Sequence, residues 1–135
     1  MIILGILIHL KNIIHYRINM LNYKKNNPLE SRLNEAYRVK LKHPDKIPII
    51  ITKSDKCNKL GDIDRNKYLV ANNLLCSQLI YIIKKRINIK EYEAIFILCD
   101  TNIISPSNTI EELYHKYKDS DGFLYIQYTS ENTFG

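Results

Sequence analysis

Apolar residues follow helical spacing in three segments of the chain. The first covers roughly residues 30–42, has Lys and Arg between its apolar positions and ends at Pro44, which predicts an amphipathic basic helix. Its apolar positions are Leu29, Leu33, Ala36, Tyr37 and Leu41. A second helix is expected from Leu75 to Arg86, capped at Asn72-Asn73. A third is expected after Thr109, where the first turn is acidic.

Unbroken β-branched and aromatic runs predict four strands, at residues 46–53, 67–70, 94–99 and 123–128. A polar loop over 54–66 separates the first two strands, and residues 105–108 form a turn before the last helix. Pro48 cannot donate a backbone hydrogen bond, so it hints at an edge position or an irregular pairing of the first strand.

The order of these elements predicts the fold class. The elements follow the order helix, strand, strand, helix, strand, helix, strand. This is the β-grasp order with an additional N-terminal helix, in an α+β architecture. We expect one helix to cross one face of the sheet and the N-terminal helix to cover the other face.

The length of the chain indicates one domain, and the distribution of its charge favours acidic partners. The 135 residues suffice for one domain with a core, and 45% hydrophobic residues are typical of a globular protein. The net charge of +6 is uneven, with 18 Lys and Arg against 6 Asp and Glu in residues 1–90, and 2 against 8 in residues 91–135. This asymmetry suits acidic peptides, anionic lipid headgroups or nucleic acid, or it reflects a solvated surface without a partner.

Residues that carry enzyme chemistry form no recognisable constellation. The sequence has no phosphate-binding loop, dinucleotide fingerprint, zinc-protease motif or nucleophile elbow. Three scattered cysteines, Cys57, Cys76 and Cys99, favour a reducing compartment and a packing role over disulfides or a zinc site. We therefore expect a protein that is not an enzyme and needs no cofactor or metal.

Five stretches carry a resemblance to a known family. From Leu29 to Gly135 the chain closely resembles the autophagy-related protein 8 family, the GABARAP-type ubiquitin-like modifiers. The stretches occur in family order and are Glu30-x-Arg32, His43–Pro48, Asp62–Val70, Lys85–Ile87 and Asp121–Tyr128. The resemblance implies an α+β, ubiquitin-like β-grasp fold with additional N-terminal helices.

The first nineteen residues stand apart from this resemblance. Met1 to Leu10 form an apolar run of about half the ~20 residues that a membrane-spanning helix needs. A signal peptide would have a basic region before the run and a small-residue cleavage site after it, and neither is present. Family members begin near Met20, so the favoured interpretation is an extension over 1–19 and a modifier domain over 20–135. A membrane-touching amphipathic helix is the alternative.

The resemblance implies that Gly135 is the reactive group. An activating enzyme would adenylate its carboxylate, and a cysteine of that enzyme, then one of a carrier enzyme, would take the carbonyl as a thioester. The amine of phosphatidylethanolamine would finally attack this carbonyl and release the carrier cysteine. Because Gly135 ends the sequence, no protease would be needed to expose it. The expected product is a lipid-anchored monomer on the autophagosome membrane, or on the outer plastid membrane of a plastid-bearing parasite.

The resemblance also implies a site for partners with aromatic-x-x-aliphatic motifs, added as a strand to the edge of the second strand. Its aromatic pocket would consist of Glu35, Val39, Pro48, Lys67, Leu69 and Phe123. Its aliphatic pocket would consist of Tyr68, Val70, Leu74, Leu79 and Ile82. Lys46, Arg65 and Lys67 would attract the acids of the motif. Core packing is the competing interpretation for the apolar residues, above all for Leu79 and Ile82.

Two other functions remain open from the sequence. A non-covalent adaptor would need only the strand edge and its pockets, without lipidation. A nucleic-acid-binding domain would use the basic surplus, but the basic residues are not interleaved with aromatics as in a stacking platform, so we expect no nucleic-acid partner.

Overall fold

The computed structural model describes residues 22–57, 59–90 and 92–130. Its helices are α1 (22–26), α2 (Leu29–Lys42), α3 (Cys76–Arg86) and α4 (Ile110–Tyr117). Its strands are β1 (Lys46–Lys53), β2 (Lys67–Ala71), β3 (Ile95–Cys99), β4 (Asn102–Ile103) and β5 (Leu124–Ser130). The predicted helices and strands are confirmed to within about three residues, and the pattern missed the short helix α1 and the two-residue strand β4.

The five strands form one mixed sheet in the order β2-β1-β5-β3-β4. The central strands β1 and β5 run parallel, from the pair Ile49–Leu124 to the pair Lys53–Tyr128. The other neighbours are antiparallel, so β2 and β4 are the two edges of the sheet. The predicted α+β, ubiquitin-like β-grasp architecture is confirmed.

Each face of the sheet is covered by helices, as the element order predicts. The larger core lies beneath α3 and α4 and includes Ile47, Ile49 and Ile51 of β1. The alternate residue Ile50 points to the other face, where it packs with Ala36 of α2 and with Phe123. Since successive side chains of a strand face opposite sides, β1 contributes to both cores.

The orientation of α2 differs from the prediction. Of the five apolar positions that define its amphipathic pattern, only Ala36 is buried, while the others are exposed. The helix is held by Arg32, whose guanidinium Nη1 donates to Asp121 Oδ2 at 2.7 Å. The small side chain of Ala36 also allows a close approach to Gly122, because a Cβ on that glycine would lie 2.9 Å from the Ala36 Cβ. Gly122 has φ +93, so the turn itself also favours glycine.

Two local predictions also need correction. β1 is a central strand, and Pro48 is tolerated because it precedes the first residue pair of the β1–β5 ladder and faces Leu69 of β2. Helix α3 is capped at Leu75 instead of Asn72-Asn73, and the Leu75 backbone N–H donates to Gln78 Oε1 at 2.9 Å. The predicted Thr109 cap is confirmed, because its hydroxyl accepts from the Glu112 backbone N–H at 3.2 Å.

Candidate functional site

The edge strand β2 has two different faces. It pairs with β1 through the register Pro48–Leu69 and Ile49–Tyr68, and within the described residues β1 is its sole strand neighbour. Lys67 and Leu69 lie on the face that α2 covers. Tyr68 and Val70 pack against the larger core beneath α3. The outer backbone edge of β2 therefore runs between two different surfaces.

A pocket of about 330 Å³ lies between α2 and β2. It is lined by Glu35, Arg38, Val39, Lys42, His43 and Leu69. The structure thus brings together three residues of the predicted aromatic pocket. A fourth, Lys67, is joined to the pocket through an ion pair of 2.7 Å between its Nζ and Glu35 Oε1.

The remaining two predicted residues of that pocket lie deeper. Pro48 is buried in β1, where it faces Leu69 across the strand pair. Phe123 is 1% exposed and belongs to the small core with Ala36 and Ile50. Neither side chain lines the pocket, whose walls come from α2, His43 and β2.

On the other face of β2, the predicted aliphatic pocket is mostly shallow. Tyr68, Val70 and Leu74 are half-buried against the larger core, and Ile82 is exposed. Leu79, in contrast, is 1% exposed and is a core residue. The surface offered to a ligand is therefore formed by the first three residues and Ile82.

Tyr68 gives this face a polar feature. Burial raises the pKa of its phenol, so the hydroxyl stays protonated at neutral pH. Its oxygen is buried and has no hydrogen-bond partner. The guanidinium of Arg86 lies 5.7 Å from the centroid of the ring. Because the hydroxyl oxygen is buried, a peptide beside β2 would meet the ring of Tyr68 and not its hydroxyl group.

The three cations predicted to attract acidic residues lie along the same edge. Lys67 and Lys46 are on the α2 face, at opposite ends of the paired segment, because Lys67 faces Ile50 and Lys46 faces Ala71. Arg65 is exposed in the loop just before β2. A bound acidic segment could reach a cation at either end of the strand.

Three pocket residues, Arg38, Lys42 and His43, were missed by the sequence reasoning. The signal was present, since Arg38 and Lys42 follow Glu35 by three and seven positions and so share one helix face. The pocket consequently has two more cations on its α2 wall than predicted.

The cysteines have the packing role that the sequence predicts. All three are buried free thiols. Burial raises the pKa of Cys76 to about 11 and that of Cys99 to about 12. Neither thiol is a nucleophile at neutral pH, because the thiolate is the reactive form.

In the folded protein, a thiol reagent at neutral pH is expected to leave Cys76 and Cys99 unmodified over minutes. A pKa of about 11 leaves roughly one thiol in ten thousand ionised at pH 7, and burial blocks access. After denaturation all three cysteines should react, and the adducts are counted by intact mass. Rapid labelling of Cys76 or Cys99 in the native state would contradict these burial assignments.

Two other kinds of site are absent from residues 22–57, 59–90 and 92–130. There, no cluster of three or more His, Cys, Asp or Glu side chains is arranged to hold a metal ion. No helix within those ranges has the length and apolar character needed to cross a membrane. Gly135, Phe134 and the proposed extension 1–19 lie outside the described residues, so those predictions remain predictions.

Lysines and exposed aromatics are closer together than the sequence suggests. The Nζ of Lys85 lies 5.0 Å from the Tyr81 ring centroid, and the Nζ of Lys90 lies 5.6 Å from that of Tyr92. Both tyrosines are exposed. Such pairs are cation–π contacts within the protein, and two of them do not form the continuous stacking row that single-stranded nucleic acid uses.

Comparisons with known proteins agree on one family. The profile described as "Autophagy protein Atg8 ubiquitin like" matches residues 31–135. Autophagy-related protein 8d of Arabidopsis thaliana is 44% identical over 115 residues, which cover 84% of this chain and 94% of the relative. Autophagy-related protein 8a of the same plant is 40% identical over 114 residues, or 84% and 93% of the two chains. The crystal structure of Trypanosoma brucei ATG8 aligns with a TM-score of 0.78 and 37% identity, covering 84% and 97%.

Proposed function

The chain belongs to the Atg8 family of ubiquitin-like autophagy proteins, and we propose that it recruits partners to a membrane to which it is itself conjugated. Members of this family are modifiers or adaptors and not enzymes. Recruitment would use aromatic-x-x-aliphatic motifs at the β2 edge. Conjugation would join the carboxyl group of Gly135 to phosphatidylethanolamine, through activating and carrier enzymes.

The observation that carries the recruitment proposal is the exposed edge of β2 between two unlike surfaces. A peptide added as a strand would pair with the outer backbone groups of β2, and its alternate side chains would point to opposite faces. The α2 side offers a pocket of about 330 Å³ with Leu69 in its wall. The α3 side offers a shallow apolar surface around Tyr68 and Val70.

Charge on the α2 side supports a ligand with acidic residues. Arg38 and Lys42 line the pocket together with a single carboxylate, that of Glu35. This carboxylate is already paired with Lys67. A cationic rim raises the association rate with an acidic peptide and adds a salt-dependent part to its affinity.

Leu69→Ala is expected to weaken binding of a peptide with this motif by about tenfold, because it removes part of the pocket wall. Lys67→Glu is expected to weaken binding further and to flatten its salt dependence. The probe is a synthetic peptide with a Trp-x-x-Leu core preceded by two acidic residues. Isothermal titration at low and high salt gives both quantities.

Matched substitutions away from β2 provide the controls. Ile103→Ala removes an exposed aliphatic side chain of β4, and Lys90→Glu reverses a distant exposed charge. Both variants should bind the peptide within about twofold of wild type. Equal losses in the control and β2 variants would place the peptide elsewhere and defeat the proposal for this edge.

Conjugation is a separate part of the proposal. It rests on family membership and on the position of Gly135, five residues after the last strand, which ends at Ser130. Reconstitution with activating and carrier enzymes, ATP and phosphatidylethanolamine vesicles tests it. Peptide binding does not require Gly135, so a protein that binds the motif but is never conjugated would be the non-covalent adaptor. Localisation in cells would then decide between autophagosome and plastid membranes.

A further inference from the structure

Helix α2 exposes the very residues that make it amphipathic. Leu29, Leu33, Tyr37 and Leu41 follow one another at intervals of four residues, and all four are exposed. Tyr37 and Leu41 are the most open, at 67% and 66%. Because the sheet buries Arg32 and Ala36 instead, this apolar stripe has no role in the core of the described protein.

The stripe lies on the flank of α2 opposite the motif pocket. Each step of four residues turns by about 40°, so the four side chains sweep about 120° of the helix surface. Glu35 and Val39, which line the pocket, fall outside this arc on the far side of the buried Arg32 and Ala36. The apolar side chains of the stripe therefore lie apart from the pocket, while Arg38 and Lys42 lie between the two surfaces and border both.

Cations lie beside and within the stripe. Arg38 and Lys42 are exposed next to Leu41. Lys40 falls within the arc itself, between Leu29 and Leu33. Its Nζ and that of Lys118 lie 5.3 and 5.6 Å from the ring centroid of Tyr114.

One carboxylate, that of Glu30, falls within the arc, at the first turn of the helix. The stripe thus has apolar side chains in the middle and net positive charge around them.

We propose that this surface, the α2 stripe with its bordering cations, binds anionic lipid headgroups at a membrane surface. An apolar strip with tyrosine, flanked by Lys and Arg, has the composition of helices that lie in the interface of a bilayer. The leucines and the tyrosine would enter the headgroup region, and the cations would meet lipid phosphates and carboxylates.

A lipid surface fits this patch better than a protein partner. Four partly exposed side chains supply roughly 400 Å², about half of what one partner contributes to a standard protein interface. A peripheral membrane contact needs less area, because electrostatic attraction to many lipids adds to the apolar term. The contact would be weak and salt-dependent, and it would act without conjugation of Gly135.

The experiment compares two double variants of the full-length, unconjugated protein. Tyr37→Ser with Leu41→Ser removes the most exposed part of the stripe. Tyr92→Ser with Ile103→Ser removes the same types of exposed side chain, aromatic and aliphatic, from distant positions. Both variants keep residues 1–21, so any contribution of that apolar segment is common to all proteins tested.

Sedimentation is measured with vesicles of phosphatidylcholine alone and with vesicles that contain about 30 mol% phosphatidylserine. Wild type and the Tyr92/Ile103 variant should bind the anionic vesicles, and high salt should release them. The Tyr37/Leu41 variant should bind about tenfold less. All three proteins should melt at the same temperature and bind the Trp-x-x-Leu peptide equally, which separates this inference from recruitment at β2.

Three results would overturn the inference. Wild type could ignore anionic vesicles, or it could bind neutral and anionic vesicles equally. The Tyr37/Leu41 variant could bind as well as the Tyr92/Ile103 variant. If wild type ignores vesicles but binds an amphipathic helical peptide with acidic flanks, and only the Tyr37/Leu41 variant loses that binding, the stripe is a protein-docking surface.

Discussion

Asp121→Ala is expected to lower the free energy of unfolding by about 3–5 kcal/mol, because it leaves the buried Arg32 charge without its partner. The Asp121 carboxylate is buried and accepts three hydrogen bonds. Arg32 Nη1 donates at 2.7 Å, the Tyr125 hydroxyl at 2.5 Å, and the Phe123 backbone N–H at 2.8 Å. A single substitution would leave all three donors unsatisfied within one small volume.

The loss should be cooperative between α2 and β5. Arg32 and Asp121 are 89 positions apart in sequence, and their contact ties the N-terminal helix to the turn before the last strand. Chemical denaturation followed by circular dichroism measures the free energy.

Asp64→Ala is the matched control, because Asp64 pairs with Arg86 at 3.2 Å on the exposed surface. It should cost no more than about 1 kcal/mol. Equal losses in the two variants would show that the buried pair does not hold α2.

The elements could be predicted from the sequence because their signals are local. β-branched runs marked β1 and β3, and Thr109 marked the start of α4 through a cap that involves only its own first turn. The two-residue strand β4 was missed because a run of that length has no periodicity. The coverage of both faces of the sheet by helices followed from the order of the elements alone.

The rotation of α2 could not be predicted, because distant residues determine it. Apolar periodicity favours a buried face with Leu33 and Tyr37. The structure instead turns Arg32 and Ala36 inward, because Asp121 supplies a buried carboxylate and Gly122 leaves room for close packing. Neither contact has a local signal in the sequence of α2, because a buried arginine cannot be told from a solvated arginine by its sequence position.

The residues of the candidate site were predicted from family resemblance. How deeply each of them is buried could not be predicted. An apolar residue in a pocket wall and one in the core have the same sequence character, so Phe123 and Leu79 could not be separated from Leu69. The extra cations Arg38 and Lys42 could have been found from their spacing to Glu35 on one helix face.

Gly135→Ala is expected to reduce conjugation to phosphatidylethanolamine by about 100-fold or more, the cost of a reacting group displaced by roughly 1 Å. In the proposed conjugation, every chemical step would take place at the carbonyl next to the Cα of this residue. Without a Cβ, glycine lets an enzyme surface close around that carbonyl, and a methyl group would meet that surface. The rate is measured with purified activating and carrier enzymes, by gel mobility and intact mass of the lipid adduct.

Gly61→Ala separates this effect from any general cost of adding a methyl group to a glycine. A Cβ at Gly61 would meet no atom within 4 Å, and the Tyr128 hydroxyl donates to the backbone carbonyl there, which the substitution keeps. This variant should be conjugated at the wild-type rate, and both variants should bind the Trp-x-x-Leu peptide normally. If Gly135→Ala were conjugated at the wild-type rate, Gly135 would not be the reactive residue. If neither wild type nor Gly61→Ala is conjugated, the protein would act as a non-covalent adaptor that binds its partners at the β2 edge.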